Sequence, residues 1–331
     1  MKAIISEQIG PPETLAFCDV QKPKPNKGEV LVQVKAAGVN YFDALIIEDK
    51  YQFKPPRPFA PCSEISGVVV ELGEGVSNLS LGDRVCANIS HGGMAEFATV
   101  PSNRCLAIED TMPFDIAAAT FMTYGTSYHA LKNRAELKPG ETVLVLGAAG
   151  GVGLAAVELG VAMGATVLAA CSSQEKLDIA IKNGASGGVV YPIGPFDNDG
   201  KKALRELFKN LGGAKGFDVI YDAVGGDYCE AALRSAAWKG RLLVVGFPSG
   251  IPSIPLNLTL LKGCSIVGVF FGMHVAMEPA EHQENLSEIQ AFYRNGKISP
   301  YISKRFSLEE GAMAIEHLKS RRATGKVVVI I

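Results

Sequence analysis

A glycine-rich segment near the middle of the chain has the residue types of a phosphate-binding turn. It spans residues 147–153 and directly follows the apolar run 141–146, which predicts a buried strand. Glycine lets the backbone turn tightly and lets a phosphate group approach the backbone amides, and the positive end of a helix that begins there attracts the phosphate charge. The residues expected to contact the phosphates are Ala149, Gly150, Gly151, Val152 and Gly153.

The segments that follow the turn make a dinucleotide the favoured ligand. An apolar helix over residues 152–163 and a second strand over residues 165–170 complete a βαβ unit of the length that binds dinucleotides. The alternative is a turn whose glycines serve only the tight passage from strand to helix. Because the whole βαβ context is present, the sequence favours the dinucleotide interpretation.

The residues after the second strand distinguish between the two nicotinamide cofactors. Folds of this kind that bind NAD usually carry an acidic residue about 20 positions beyond the glycines. This chain has Ser172 and Ser173 there, with Lys176 in the next helix and no carboxylate before Glu175. Hydroxyls and a cation suit the 2′-phosphate of NADP, so the sequence predicts NADPH as the cofactor. Ser173 also fits the N-cap of a helix over residues 174–183, and the two roles are compatible.

The composition is that of an ordinary globular protein. The chain has 331 residues, of which 47% are apolar and 20% charged, and its net charge is −2. This length suits two domains, and there is no surplus of basic residues for binding nucleic acid. No run of about 18 apolar residues predicts a membrane span, and the first residues lack the pattern of a signal peptide. We therefore expect a cytoplasmic protein with no membrane partner.

Cysteine and histidine spacing gives no indication of a metal site. The seven cysteines are scattered without a C-x-x-C pair, and the five histidines include no H-x-x-x-H pair. Such a set predicts reduced thiols and no bound metal. Spacing alone does not test for ligands that converge from distant parts of the chain.

The remaining pattern divides the chain into two predicted domains. Residues 2–107 are rich in strand-like runs separated by turn signals, which is typical of a small barrel. A helical pattern covers residues 114–131, and strands then alternate with helices as in a doubly wound parallel sheet. Beyond the βαβ unit, the predicted strands are 188–191, 217–223, 241–245 and 265–270, and the predicted helices are 201–211 and a segment ending at 238. We predict residues 1–120 with 272–331 as one domain and residues 121–271 as the dinucleotide-binding domain.

Motifs along nearly the whole chain resemble one known superfamily. They lie at residues 37–43, 64–69, 92–97, 148–153, 221–225 and 324–328. With them the chain resembles the medium-chain dehydrogenase/reductase superfamily, and more narrowly the zinc-free quinone oxidoreductases related to ζ-crystallin. The resemblance implies an α/β fold with a Rossmann-type doubly wound parallel sheet and a GroES-like β-barrel catalytic domain.

The resemblance also implies roles for individual residues. Zinc-dependent relatives carry a ligand cysteine at the position of Asn40 and a histidine at that of Ser63. In the zinc-free family Asn40 would face the nicotinamide, and Tyr51 is similar to a tyrosine that reaches cofactor or substrate, so both are candidate catalytic residues. Some relatives have a second tyrosine where this chain has Leu45. Further positions that match cofactor contacts are Tyr41, Thr126, Tyr191, Gly246, Phe247, Ser249, Val269, Phe270, Phe271 and Arg321.

Simpler structural roles exist for several of these residues. Asn40 and Asp43 fit the caps of a short helix, Tyr51 fits a packing residue beside prolines, and the Thr126 hydroxyl fits a bond to the preceding helical turn. The sequence leaves both sets of roles open.

The expected reaction is hydride transfer from NADPH to a quinone, without a metal. The acceptor becomes an oxyanion that Asn40 or Tyr51 could stabilise by donating a hydrogen bond. Alternatives are the reduction of enones, alkenals or enoyl-CoA, and, in another class, NADPH binding without turnover in a crystallin-like or RNA-binding protein. We also expect a homodimer, because residues 265–270 predict an apolar edge strand that pairing would cover.

Overall fold

The structure, a computed structural model, describes residues 1–331 and divides into two compact units. The first unit comprises Met1–Met122 and Pro300–Ile331, and the second comprises Thr123–Ser299. None of the helices has the length and apolar character needed to cross a membrane.

The first unit is built mainly of strands. Its amino-terminal part contains β1 (Lys2–Ile5), β2 (Ala16–Asp19), β3 (Glu29–Val39), α1 (Tyr41–Ile47), β4 (Glu64–Leu72), β5 (Arg84–Asn88), β6 (Phe97–Pro101), β7 (Cys105–Ala107) and α2 (Phe114–Ala118).

The second unit alternates strands with helices. In chain order it contains most of α3 (Phe121–Tyr128), a π-helical segment (His129–Arg134), β8 (Thr142–Leu146), α4 (Gly151–Ala162), β9 (Thr166–Cys171), α5 (Gln174–Lys182), β10 (Gly187–Val190), α6 (Asn198–Gly212), β11 (Phe217–Asp222), α7 (Gly226–Leu233), β12 (Ala236–Val244), α8 (Asn257–Lys262), β13 (Ser265–Gly268), α9 (Phe271–Met277) and α10 (Pro279–Arg294). The chain then returns to the first unit with β14 (Ile302–Ser307), α11 (Gly311–Lys319) and β15 (Lys326–Ile330).

One long strand, β3, organises the sheet of the first unit. The strand order is β14-β15-β3-β4-β5-β7, with β6 also paired to β3. Antiparallel pairing joins β3 to β4, β6 and β15, whereas β14 runs parallel to β15. The pairing of β15 with residues 36–39 of β3 brings the carboxyl-terminal strand next to α1, which follows β3 directly. An apolar core including Val32, Ile65 and Val329 is fully buried.

The second unit has the predicted doubly wound parallel sheet. Its six strands lie in the order β10-β9-β8-β11-β12-β13, and every neighbouring pair is parallel. The order reverses between β8 and β11, so the carboxyl ends of these two strands flank the switch point at which such sheets bind ligands. The glycine turn after β8 therefore lies at the binding edge of the sheet.

One predicted helix is wrong at its end. The helix that we expected up to residue 238 is α7, which ends at Leu233, and β12 begins at Ala236. The Phe217 N–H donates to the Ser235 carbonyl, and the parallel pairing of β12 with β11 then continues to Val244. Strand pairing with a distant segment thus outweighs the local helical pattern.

Residues 272–299 belong to the second unit, whereas the sequence prediction placed them in the first. Polar contacts join α10 to the end of α3 and to the π-helical segment that follows it. Glu288 accepts hydrogen bonds from the Tyr128 hydroxyl and the Lys132 ammonium, both at 2.6 Å. The Asn285 amide donates to Asn133 at 2.8 Å. These side chains hold α10 against the second unit.

Three buried histidines join the same elements. The His129 ring stacks on His274 with 3.9 Å between centroids, and His282 meets His274 edge-on at 5.9 Å. Glu278 lies 2.6 Å from His274 Nδ1. Burial lowers the pKa of His129, and burial together with the neighbouring histidines lowers the pKa of His282 to about 4. The packing therefore favours the neutral form of His282.

This pKa shift predicts acid sensitivity of the second unit. A histidine with a depressed folded pKa binds its proton more readily in the unfolded chain, so its stabilising effect is complete above pH 6.5 and is lost as the pH falls towards 4. At 1.36 kcal/mol per pKa unit, His282 accounts for about 3 kcal/mol of this loss. Urea unfolding followed by the fluorescence of the single tryptophan, Trp238, measures the second unit.

In the variant His282→Gln, the unfolding free energy should lose much of its dependence on pH between pH 7 and 4. His317→Gln is the control: burial also lowers the pKa of His317, but this residue lies in α11 of the first unit, so the Trp238 signal of the second unit should keep the wild-type slope. If the unfolding free energy of His282→Gln and of the wild type changed equally with pH, the assignment of this pH dependence to His282 would be contradicted.

Candidate active site

The glycine turn after β8 has the shape that a phosphate cradle requires. Gly147 has a φ of +70°, and a Cβ on Gly153 would lie 2.1 Å from the Gly147 carbonyl oxygen. Glycine is therefore required at both positions. Gly150 is the N-cap of α4, and no side chain caps this helix or places a carboxylate in its first turn. The first amides of a twelve-residue helix are thus left for an anion.

The predicted 2′-phosphate residues meet at the carboxyl end of β9. The Lys176 ammonium lies 3.4 Å from the Ser172 hydroxyl. The Ser173 hydroxyl accepts the Lys176 N–H at 3.3 Å, so the predicted capping role of Ser173 is present. Burial raises the pKa of the neighbouring Cys171 thiol to about 11, which keeps it uncharged.

Two loops lie side by side at the carboxyl ends of β11 and β12. The buried Asp222 carboxylate accepts the Val224 and Gly225 N–H groups at 2.9 and 2.8 Å and so shapes the first loop. The Ser249 N–H donates to the Val224 carbonyl at 2.9 Å, and the Gly226 N–H donates to the next loop in the same way. The predicted contact residues of the second loop are Gly246, Phe247 and Ser249. They therefore lie at the binding edge of the sheet.

The other predicted contacts of the second unit differ in exposure. Thr126 is half-buried in α3. Tyr191 directly follows β10 and is buried, with its ring 4.8 Å from that of Tyr228. After β13, Phe270 is 60% exposed, whereas Phe271 is buried against Gly125, where an added Cβ would lie 2.6 Å from the ring. Val269 extends the strand by donating its N–H to the Val244 carbonyl.

In the first unit, the Asn40 carboxamide is held by charged neighbours. Its Oδ1 accepts from the Lys326 ammonium at 2.6 Å, and its Nδ2 donates to Glu64 at 3.1 Å and to the Gly38 carbonyl at 3.3 Å. Lysine only donates and a carboxylate only accepts, so these partners determine which end of the amide is oxygen. Asn40 also occupies the N-cap of α1, and its backbone N–H donates to Asp43 at 2.7 Å.

Lys326 and Glu64 form a buried ion pair that the sequence interpretation did not single out. Their charged atoms are 2.5 Å apart, and the side chains are 5% and 0% exposed. The other Glu64 oxygen accepts the Met122 N–H at 2.8 Å. Gly38 makes room for the pair, since a Cβ there would lie 2.0 Å from a backbone oxygen and 2.8 Å from Glu64. The available signal was a charged residue at the start of each of two mainly apolar strands.

Asp43 and Tyr51 complete the polar groups near Asn40 in the sequence. Burial raises the pKa of Asp43 to about 7, although the Asn40 N–H, Lys326 and the Cys62 thiol favour its charged form. Tyr51 is half-buried and stacks on Phe42 with 5.6 Å between centroids. Burial and the Asp43 charge raise the pKa of Tyr51, so its hydroxyl keeps its proton at neutral pH.

The first unit also carries the two remaining predicted contacts. Tyr41 is the first residue of α1 and is 37% exposed. Arg321 follows α11 and is exposed, with a left-handed φ of +58°.

The residues of the first unit do not fit a zinc site. Zinc in proteins is bound mainly by thiolates, imidazoles and carboxylates, whereas Asn40 and Ser63 offer an amide and a hydroxyl. The Ser63 hydroxyl is buried and has no hydrogen-bond partner. The Lys326 ammonium, 2.6 Å from the Asn40 oxygen, would repel a second cation.

Comparison with known proteins agrees with this architecture. The profile of the family described as "Alcohol dehydrogenase GroES-like domain" matches residues 26–110, and that of "Zinc-binding dehydrogenase" matches residues 151–290. The chain is 41% identical to the quinone oxidoreductase-like protein 2 homolog of Nematostella vectensis, over 91% of this chain and 81% of that protein. It is 33% identical to the quinone oxidoreductase of Rattus norvegicus, over 100% and 98% of the two chains.

A solved structure is similar over the full length. The Escherichia coli quinone oxidoreductase complexed with NADPH is 27% identical, with a TM-score of 0.89 and coverage of 100% of both chains. A GroES-like unit joined to a doubly wound parallel sheet defines a medium-chain dehydrogenase/reductase. Within that superfamily, the chain belongs to the quinone oxidoreductase family.

The buried ion pair predicts a large stability effect. Lys326→Met leaves the Glu64 charge buried without its partner, which should destabilise the chain by about 3–5 kcal/mol. Lys326→Met combined with Glu64→Gln removes both charges and should recover most of the loss. Arg305→Met breaks a more exposed ion pair with Asp115 in the same unit and should cost less than about 1 kcal/mol. Urea unfolding followed by circular dichroism measures these effects, and a loss below 1 kcal/mol for Lys326→Met would disprove the expectation.

Proposed function

We propose that this chain is a zinc-independent oxidoreductase that transfers hydride from NADPH to a quinone. The observation that carries the proposal is the buried Asn40–Lys326–Glu64 network, in a chain that also has a dinucleotide cradle. By the family resemblance, Asn40 of this network stands where zinc-dependent relatives carry a ligand cysteine. The names of the Rattus norvegicus and Escherichia coli relatives support a quinone as acceptor, and the latter's complex supports NADPH.

The second unit would bind the cofactor. The uncapped amides at the start of α4 suit the pyrophosphate, and Ser172 with Lys176 suits the 2′-phosphate. NADPH, when bound, supplies the hydride.

The first unit would supply hydrogen bonds to the acceptor. Reduction places negative charge on an acceptor oxygen, and donors aimed at that oxygen stabilise the charge. Tyr51 has a neutral hydroxyl that makes no hydrogen bond within the chain. Asn40 donates one amide hydrogen to the Glu64 carboxylate and the other to the Gly38 carbonyl. The bond to Gly38 is 3.3 Å long, which exceeds the usual 2.9–3.0 Å. The latter hydrogen is the one that Asn40 can redirect to a ligand. The proton for the product comes from Tyr51 or from solvent.

Two other functions remain as alternatives. Reduction of an enone, alkenal or enoyl-CoA also creates an oxyanion and would use the same donors. A protein that binds NADPH without turnover, in a crystallin-like or RNA-binding role, would need only the cradle of the second unit.

Steady-state oxidation of NADPH and NADH with a panel of quinones, enones and enoyl-CoA thioesters tests the proposal. We expect turnover with NADPH and the best efficiency with a quinone. A preference for an enone or thioester would replace the quinone assignment. Saturable NADPH fluorescence without turnover on any acceptor would show a binding protein instead.

Cofactor preference gives a sharper prediction. Charge-assisted hydrogen bonds are worth about 1.5–3 kcal/mol, so Lys176→Ala should weaken NADPH binding about tenfold or more and leave NADH nearly unchanged. Ser172→Asp places a carboxylate near the ribose and should shift the preference further towards NADH. Lys182→Ala, at the far end of α5, is the matched control. Unchanged ratios of NADPH to NADH efficiency in both variants would leave Ser173 with only its capping role.

We also propose a homodimer formed through β13. This strand is one of the two edges of the six-stranded sheet, and an open edge invites pairing with another chain. Trp238, Leu260 and Leu261 belong to β12 and α8 and are 72%, 79% and 67% exposed. Light scattering at micromolar concentration should give the mass of two chains. Leu260→Glu should shift the mass towards one chain, whereas Leu81→Glu in the first unit should not, and a monomeric wild type would refute the dimer.

A further inference from the structure

The first unit buries a positive charge beside Asn40, the side chain proposed to donate a hydrogen bond to the acceptor. Lys326 is 4% exposed, and its ammonium reaches only two acceptors, Glu64 at 2.5 Å and the Asn40 oxygen at 2.6 Å. Burying an ion pair costs desolvation that packing alone does not require, since apolar residues of similar size often serve a core as well. The position of the charge therefore calls for an explanation other than stability.

The two charged residues act on opposite ends of the same amide. Lys326 donates to Oδ1 of Asn40, and Glu64 accepts from Nδ2 at 3.1 Å. Because the partners at the two ends differ in kind, a rotated amide would place nitrogen against an ammonium and oxygen against a carboxylate. The orientation of Asn40 is consequently fixed, with its second amide hydrogen in the long bond to the Gly38 carbonyl.

The charge also changes the donor strength of the amide. A cation bonded to the amide oxygen draws electron density from the nitrogen, and hydrogen bonds in a chain strengthen one another in a low-dielectric interior. The Lys326 bond to Oδ1 thereby favours donation by the second Nδ2–H of Asn40, whereas the Glu64 carboxylate bonded to the same nitrogen acts in the opposite direction. The burial of Glu64, Lys326 and Asp43 shields the network from water.

We propose that Lys326, paired with Glu64, is a positioning residue that orients and polarises the Asn40 carboxamide towards the acceptor oxygen. In this way a buried ion pair holds an amide N–H donor in one orientation. The inference rests on the proposed function, because the role of Asn40 requires an acceptor that becomes an oxyanion.

A mutant cycle with a neutral pair tests the inference without burying a lone charge. The variants are Lys326→Met with Glu64→Gln, Asn40→Ala alone, and all three changes together. Circular dichroism checks folding, NADPH fluorescence titration gives the Kd, and steady-state kinetics with the best acceptor gives kcat and KM. Arg305→Met with Asp115→Asn removes a partly exposed ion pair of the same unit as the control.

The expected result distinguishes a positioning role of Lys326 from a purely structural one. The neutral pair should fold and bind NADPH within about twofold of the wild type, yet lose kcat by about tenfold or more, as for the loss of an oriented donor. Asn40→Ala should lose kcat to a similar extent. The kcat of the triple variant should lie within about twofold of that of Asn40→Ala, because the neutral pair and Asn40→Ala remove the same oriented donor. The control should keep the wild-type kcat.

Other results overturn the inference. Wild-type kcat in the neutral pair or in Asn40→Ala, or losses that multiply in the triple variant, would show that Lys326 does not act through Asn40. A neutral pair that fails to fold would assign the ion pair to structure alone. These outcomes leave the proposed function intact, because the wild type still turns over. A wild type without turnover on every acceptor rejects the proposed function, and the positioning role with it.

Discussion

A buried ion pair in the first unit joins β4 to the carboxyl-terminal strand β15. Glu64 lies at the start of β4 and Lys326 at the start of β15, and the strand between them in the sheet, β3, leads directly into Asn40. Neither charge could remain buried without the other, and neither could fit if position 38 carried a side chain. The end of β3, the beginning of α1 and the carboxyl-terminal strand are therefore constrained by one interaction.

In the second unit the governing constraint is backbone shape. The turn between β8 and α4 brings backbone atoms closer than any Cβ would allow, and the loops after β11 and β12 are joined by hydrogen bonds between their backbones. Asp222 stabilises the first of these loops from inside the unit. The binding edge is thus built mainly from main-chain groups, which suits a ligand with two phosphates. Side chains enter at the tip of β9, where Ser172 and Lys176 meet.

The charged groups at the binding edge of the second unit differ from those around Asn40 in the first unit. The second unit offers uncapped helix amides and an accessible lysine to an anionic cofactor. The first unit encloses one cation, one carboxylate and an aspartate whose pKa of about 7 reflects its burial. A buried charge in a low-dielectric interior acts more strongly on its neighbours than the same charge in water.

The sequence by itself determined the features that depend on neighbouring residues. The strand, turn and helix around Gly147, the cluster at Ser172 and Lys176, and the alternation that forms a parallel sheet all follow from local pattern and steric limits. Only the tertiary structure decided the end of α7, the placement of residues 272–299 and the surroundings of Asn40. The partner of the Asn40 oxygen lies 286 residues away, and its charge is recognisable only when strand pairing brings it there. Local pattern carries no information about such pairs, because the free energy that creates them comes from contacts between segments that the sequence keeps apart.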